Sequence, residues 1–244
     1  MKILVTGAAG YLGRAMIEPF EGRHELRLMD VKPWQSRHEV FAGDVADLDA
    51  CRRAADGVNA LVIAHMASRQ AGAYETPTLP FDANVKGTAN LFFAAVEHGI
   101  RRVVLISSTG AVAGHEGRFL SRDLPVRSKG LYGLTKACQE VIAEQFQREH
   151  DMEVAVLRPA WIIDADTMVT KYGDRLQYFD EGMIDRRDLG EAARLACELP
   201  DLKFEIFYVH ATAESPARCD VSYTHRRLGW KPKYDFSWLP RAPK

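Results

Sequence analysis

A doubly wound α/β fold, with a parallel sheet covered by helices on both faces, follows from three features of this 244-residue chain. Apolar runs of strand length alternate with helix-length segments as far as about residue 160. The first run leads into three glycines spaced three apart, and the second ends on an acid. Such alternation implies parallel strands with right-handed crossovers, because a right-twisted strand feeding a helix packs back onto its sheet only that way.

Each element has its own justification. Lys2 to Thr6 (KILVT) is nearly continuous apolar sequence, as a strand buried on both faces requires. Gly7 to Gly13 (GAAGYLG) opens into helical spacing at Leu12, Ala15 and Met16, closed by Pro19-Phe20. Glu25 to Met29 is the second strand, with Asp30 at its tip. Val40 to Ala42 reads as a short strand before Gly43-Asp44, Leu48 to Ala55 as a helix, and Ala60 to His65 as a strand. Helix 81–98, strand Arg102 to Ser107, helix 131–150 and strand Val154 to Leu157 complete the alternation. Beyond about residue 160 charges, aromatics and turn residues crowd together, interrupted by a helix over Asp188 to Leu199 and a strand over Glu205 to Val209. The expected organisation is a nucleotide-binding domain at 1–160 and a small substrate-binding region at 161–244, interleaved with the same core.

The opening unit carries the first chemistry. Gly7 permits a tight turn, Gly10 lets the backbone approach a pyrophosphate, and Gly13 lets the helix pack on its strand. The helix N-terminus offers unpaired N–H groups to the anion. Asp30 sits where a ribose 2′-hydroxyl would bond, and its charge would repel a 2′-phosphate, so NAD is favoured over NADP, although Lys32 and Arg37 lie just beyond. This is the dinucleotide fingerprint of a Rossmann-type sheet.

The second chemistry is Tyr132-Gly133-Leu134-Thr135-Lys136. Positions i and i+4 share one helix face, and a neighbouring ammonium favours phenolate, which suits a general acid/base. Ser107, Ser108 and Thr109 place hydroxyls at the C-terminal end of the preceding strand, the edge where doubly wound sheets bind ligands.

Composition narrows the partners. With 47% hydrophobic residues, 27% charged residues and a formal net charge of −1, nothing drives the chain toward nucleic acid or anionic membranes. Cys51, Cys138, Cys197 and Cys219 are widely spaced without a C-x-x-C pair, so no metal site and no disulfide framework is expected. No apolar run approaches the ~18 residues of a membrane span. The first strand begins at the N-terminus, leaving no room for a signal peptide, and a cytoplasmic location is expected. Trp230, Tyr234, Phe236 and Trp238 read as a cluster packing the tail onto the domain.

Together these motifs resemble the short-chain dehydrogenase/reductase superfamily, in its extended branch of sugar epimerases, dehydratases and dehydrogenases. The resemblance spans nearly the whole chain: TGAAGYLG (Thr6 to Gly13), Asp30, GDVAD (Gly43 to Asp47) and NVKGTANL (Asn84 to Leu91). It continues through ISSTGAVAG (Ile106 to Gly114), YGLTK (Tyr132 to Lys136), LRP (Leu157 to Pro159), RRDLGEA (Arg186 to Ala192) and LGWKPK (Leu228 to Lys233). It implies cofactor contacts at Ala9, Tyr11, Leu12, Val31, Asp44, Val45, Ala64, His65, Met66, Ile106 and Pro159, with Asn84 supporting the site's backbone and Lys136 bonding the nicotinamide ribose. It also implies that Tyr132 takes a proton from a substrate hydroxyl while hydride leaves for NAD, with either Ser108 or Thr109 holding the oxygen.

Within that branch the chain resembles the uronate dehydrogenase group, which oxidises small sugar acids. That likeness implies substrate contacts at Gln70, Ser108, Thr109, Gly110 and Tyr132, and a cation for the carboxylate. Arg175 is the candidate cation, against the reading of a solvated loop arginine. Three functions stay open: an NAD-dependent dehydrogenase of a small sugar or sugar acid, an NAD-retaining nucleotide-sugar epimerase, dehydratase or reductase, and a non-catalytic NAD-binding module. The family's dimers imply a homodimer through helices 81–98 and 131–150, unless those faces pack only on their own sheet.

Overall fold

The computed structural model describes residues 1–67 and 73–242, so Gln70 lies outside the described residues. Its centre is a seven-stranded parallel sheet in the order β10-β6-β5-β4-β1-β2-β3. The strands are β1 (Lys2–Thr6), β2 (Glu25–Asp30), β3 (Glu39–Ala42), β4 (Ala60–Ile63), β5 (Arg102–Ile106), β6 (Glu153–Pro159) and β10 (Phe204–Val209). β1 lies between β2 and β4, in register Ile3 with Leu26 on one side and Ile3 with Ala60 on the other.

The period of two along each strand divides the core into two layers. Ile3 and Val5 face one layer with α1 (Tyr11–Phe20), α5 (Arg186–Glu198) and α6 (Val221–Leu228). Leu4 faces the other with α2 (Leu48–Ala55), α3 (Gly87–Glu97) and α4 (Gly130–His150). The same split separates Val104 and Ile106 from Val103 and Leu105 on β5. This is the doubly wound architecture expected from the alternation.

Outward from β1 the chain first builds β2 and β3, then returns to build β4, β5, β6 and β10 on the other side. The reversal leaves a crevice at the C-terminal ends of β1 and β4, the switch point at which such sheets bind ligands.

One expected helix is composite. Residues 81–98 begin with a π-helical turn, Phe81–Lys86, that carries the buried Asn84 before α3 starts at Gly87. Such wide turns are characteristic of functional sites.

After residue 160 the chain forms a second sheet, β8-β7-β9, from β7 (Trp161–Asp164), β8 (Val169–Thr170) and β9 (Met183–Asp185). It is not walled off from the main core. β10 closes the edge of the large sheet against β6, and α5 packs so tightly on α1 that a Cβ on Gly190 would lie 3.1 Å from Met16 Cα. A third cluster, Ile163, Met168, Phe179 and Met183, receives Phe236 and Leu239 from the tail.

Trp230 and Phe236 are buried as the aromatic spacing implied, and Trp230 Nε1 donates to the Asp188 carbonyl at 3.0 Å. Trp238 departs from that reading: it is 64% exposed, its indole N–H donating to Asp235 three residues earlier. Among the described residues no helix is long and apolar enough to cross a membrane.

The glycine turn is a close-packing requirement as well as a binding feature. Gly7 has a φ of +68°, and a Cβ on Gly13 would lie 2.2 Å from the Gly7 carbonyl oxygen. Backbone cannot yield as a side-chain tip can, so Gly13→Ala should destabilise by about 3 kcal/mol, read from its urea midpoint.

Candidate active site

Two cavities meet at the C-terminal edge of the sheet. The first, about 340 Å³, runs from the glycine turn and Asp30 past His65 to Lys136 and Tyr132. The second, about 550 Å³, lies beyond Tyr132 and is bordered by Ser108, Thr109, Gly110, His115 and Lys171. Tyr132, Ile162 and Lys171 belong to both.

The first cavity fits a dinucleotide on its own geometry. Gly7 and Gly13 make a cradle that any Cβ would fill. Gly10 precedes α1 without a side-chain cap, so the first-turn N–H groups of a ten-residue helix remain available to an anion. At one end the Asp30 carboxylate accepts from the Ala9 N–H at 3.0 Å. Ala9, Tyr11, Leu12, Val31, Ala64, Met66 and Ile106 line the groove as the resemblance implied.

Asp44, Val45 and Pro159 are not among the residues that line it, and Asn84 supports the site's backbone from behind as the resemblance implied. Asp44 is exposed and closes its own turn on the Ala46 N–H at 2.9 Å. Val45 is buried, with its carbonyl taken by Asn90 at 2.9 Å. Asn84 sits behind the wall: its Oδ1 accepts from the Ala67 N–H at 2.7 Å and its Nδ2 donates to Thr135 at 3.0 Å. Pro159 ends β6 away from the groove lining.

His65 ends up satisfied and neutral. Its Nε2 faces the Ala83 carbonyl at 3.0 Å, so that nitrogen carries the proton and Nδ1 accepts from the Thr6 hydroxyl at 2.9 Å. Burial, helped by the nearby Lys136 charge, pushes its pKa down to about 3.

The hydroxyls and the Tyr–Lys pair are brought together by α4. Lys136, buried, donates from Nζ to the Ile106 carbonyl at 2.8 Å. Ser108 caps the short turn after β5, its Oγ accepting from the Gly110 N–H at 3.0 Å. A Cβ on Gly110 would lie 3.3 Å from that Oγ and 3.5 Å from Cε1 of Tyr132, so the serine hydroxyl and the phenol ring flank the same spot. Thr109 lines the second cavity from the same turn, and Ser107 turns the other way, donating to Glu140 at 2.5 Å.

Sequence reasoning missed Lys171. Its ammonium stands 5.1 Å from the centroid of the Tyr132 ring, and it lines both cavities. No motif announces it, because it reaches the site from the second sheet. Arg175 is exposed and lines neither cavity. Arg187 bonds Asp185 at 2.9 Å, Arg186 bonds Asp164 at 2.5 Å, and Asp188 accepts from the backbone of Lys233.

The buried histidines set an acid limit on stability. His65 and His210 hold folded values of about 3 and about 4 through burial, below the unfolded 6.5. Their contribution is complete above pH 6.5 and is lost as pH falls toward the folded values, because the unfolded chain takes up the protons first. The unfolding free energy should drop by up to about 1.4 kcal/mol per pH unit for each histidine on going from pH 6 to pH 4.5. Urea titrations across that window check this, and His65→Gln should flatten the slope.

Comparison with known proteins agrees with this geometry. Residues 3–165 match the model of the NAD dependent epimerase/dehydratase family. The NAD-dependent glucose-6-phosphate dehydrogenase of Haloferax volcanii is 31% identical over 182 residues, 64% of this chain and 66% of that protein. The uronate dehydrogenase of Pseudomonas putida is 29% identical over 163 residues, 64% of this chain and 59% of that protein. The matched stretches therefore cover less than two thirds of each relative's own length, 66% of one and 59% of the other. The crystal structure of uronate dehydrogenase from Agrobacterium tumefaciens superposes with a TM-score of 0.80 at 27% identity, covering 96% of this chain and 85% of that one. The glycine cradle, the acid at the tip of β2 and the Tyr–Lys face all fall inside the matched stretch, and the chain belongs to the NAD dependent epimerase/dehydratase family.

Proposed function

We propose that this chain is an NAD-dependent dehydrogenase of a small, negatively charged sugar, a hexuronate or related sugar acid, acting on a carbinol carbon. The observation that carries the reading is the meeting of the two cavities at one phenol. A groove built for a dinucleotide and a space of about 550 Å³ have Tyr132 in common. The names of the relatives, two of them dehydrogenases of sugars or sugar acids, support the same class.

In this reading the diphosphate lies on Gly7, Gly10 and Gly13, and Asp30 takes the ribose hydroxyls. Bound NAD supplies the hydride-accepting nicotinamide. Tyr132 Oη takes the proton of the substrate hydroxyl, and Ser108 Oγ holds the same oxygen, with Thr109 beside it. Lys136, on the same face of α4, stabilises the phenolate that the transfer requires. Lys171 and Arg118 provide positive charge in the second cavity, and Lys171 takes the carboxylate role that the sequence reading gave to Arg175. The segment from β7 to β9 and the tail form the substrate-binding region, appended to the domain that holds the cofactor.

Two further parts belong to the proposal. Phe93 on α3, and Leu134 and Val141 on α4, are large apolar side chains left exposed, with Val141 at 53%, which supports a homodimer through these helices. All four cysteines are free thiols, which supports a reducing, cytoplasmic setting.

Incubation with NAD and a panel of uronates, neutral aldoses and nucleotide sugars, followed by reduced-nicotinamide absorbance, tests the function. Net NADH from a uronate is expected; sugar conversion without NADH would instead indicate an epimerase. Tyr132→Phe should lose turnover by at least about a thousandfold while binding NAD normally. Lys171→Met should raise KM for uronates about tenfold or more and spare neutral sugars, whereas Arg175→Ala should leave both unchanged. Sedimentation should return twice the chain mass.

A further inference from the structure

Two buried charges have no part in the proton path. Glu140 on α4 and Arg158 on β6 are 3% and 1% exposed. Arg158 Nε donates to Glu140 Oε1 at 3.0 Å and Nη2 to Oε2 at 2.7 Å, while Nη1 donates to the Tyr208 hydroxyl at 2.9 Å. Glu140 accepts one bond more, from the Ser107 hydroxyl at 2.5 Å. An ion pair at this depth gains little net stability, since apolar side chains of similar volume fill a core as well or better. Its place in the fold points to another use.

Tyr132, Lys136 and Glu140 occupy three successive turns on one face of α4. Ile106 and Ser107 are consecutive residues at the end of β5. The Ile106 carbonyl takes Lys136, and the Ser107 hydroxyl bonds Glu140. Two adjacent helix turns are therefore tied to two adjacent residues of the strand that delivers Ser108. A helix held at one point can still pivot there. Held at two points one turn apart, it has both its rotation and its axial slide set. Ser107 is itself fixed by its N–H on the Leu157 carbonyl at 2.8 Å, next to Arg158.

We infer that the Glu140–Arg158 pair is a positioning device for the active site: it latches α4 onto the end of β5, so that Tyr132 meets the Ser108 hydroxyl and the substrate. The Glu140 carboxylate accepts from the Ser107 hydroxyl and from two guanidinium nitrogens at once, and so holds strand and arginine together. Of the other charges that border the pair across a cavity of about 440 Å³, Arg122 pairs with Asp220, Glu144 with Arg148 and Glu205 with Arg227, and Asp123 lines the cavity beside them. The inference rests on the proposed function for what Tyr132 does, and on the geometry for where it stands.

The test replaces both charges at once, Glu140→Met with Arg158→Met, so that no unpaired charge is left inside. Melting temperature and NAD affinity should stay near those of the parent protein. The kcat for a uronate should fall by about tenfold or more with KM little changed, the pattern of a lost alignment rather than lost binding. A second readout needs no substrate. The near-ultraviolet phenolate absorbance of Tyr132, taken as the difference from the matching Tyr132→Phe protein, should titrate at a higher pH in the double variant. Among the described residues the charged or titratable groups around that phenol are Lys136 on its own helix, Lys171 over its ring and Tyr74, whose ring meets it edge-on at 5.6 Å. The removed pair is neutral overall, so a shift reports the position of Tyr132 against them.

A folded double variant with parental kcat and parental titration would overturn the latch. Should that variant fail to fold, Ser107→Ala carries the test: it removes the bond between Glu140 and the strand, NAD affinity is read alongside because Ser107 also borders the first cavity, and an unchanged kcat and titration would overturn the latch equally. Parental protein that oxidises no sugar would remove the proposed function, while the titration would still decide the latch.

Discussion

The contact on which the chemistry depends is backbone against backbone, where the start of α4 meets the turn after β5. A Cβ on Gly133 would lie 2.7 Å from the Gly110 carbonyl oxygen. The missing side chain of Gly133 allows this approach; Tyr132 directly precedes it, and Ser108 stands two residues before Gly110. A side chain on Gly133 would push the helix outward and carry the phenol away from the hydroxyl, whereas a Cβ on Gly110 would stand at ordinary contact distance from the helix, 3.6 Å from Gly133 Cα. The polar bonds from Lys136 and Glu140 then hold what Gly133 permits. Sterics brings the helix in, and hydrogen bonds fix its angle.

The electrostatics of the groove are arranged around the same helix. The uncapped start of α1, Lys136 and Lys171 all present positive charge or positive dipole to the two cavities. His65, wedged between β4 and the π turn, is kept neutral by burial and by Lys136, so it adds a rigid wall without adding charge. The buried Asn84 ties the wall to α4: one amide joins the loop after β4, Tyr74 and Thr135. A wide helical turn there makes sense, because a regular turn would space its carbonyls and side chains differently from what this amide spans.

What could be read from the chain was whatever sits close together in sequence. The glycine cradle spans seven residues, the Tyr–Lys face five, and the strand-end hydroxyls three; each is a local pattern with a local physical cause. Contacts made across the fold left no such trace. Lys171 comes to Tyr132 from a strand of two residues, too short for periodicity to register. Arg175 offers a guanidinium in irregular surroundings, and neither feature encodes which way a loop turns. Trp238 and Trp230 carry the same side chain, and only tertiary packing buries one and exposes the other. Asp44 and Val45 follow a strand at the sheet's edge, where a shift of one residue in the turn moves a side chain off the groove.

The long-range contacts also explain how so short a substrate region can be rigid. The Tyr11 hydroxyl, at the head of α1, donates to the Val169 carbonyl of β8 at 2.6 Å across 158 residues of chain. Burial pushes that phenol up from its ordinary value, so it stays protonated and remains a donor. Arg186 lies over the Tyr11 ring, its guanidinium 5.1 Å from the centroid, and bonds Asp164 on β7 at 2.5 Å. The cofactor turn and the small sheet therefore share one tyrosine, and the strand it grips is the one followed directly by Lys171. Tyr11 thus ties the head of α1 to the strand that ends directly before Lys171.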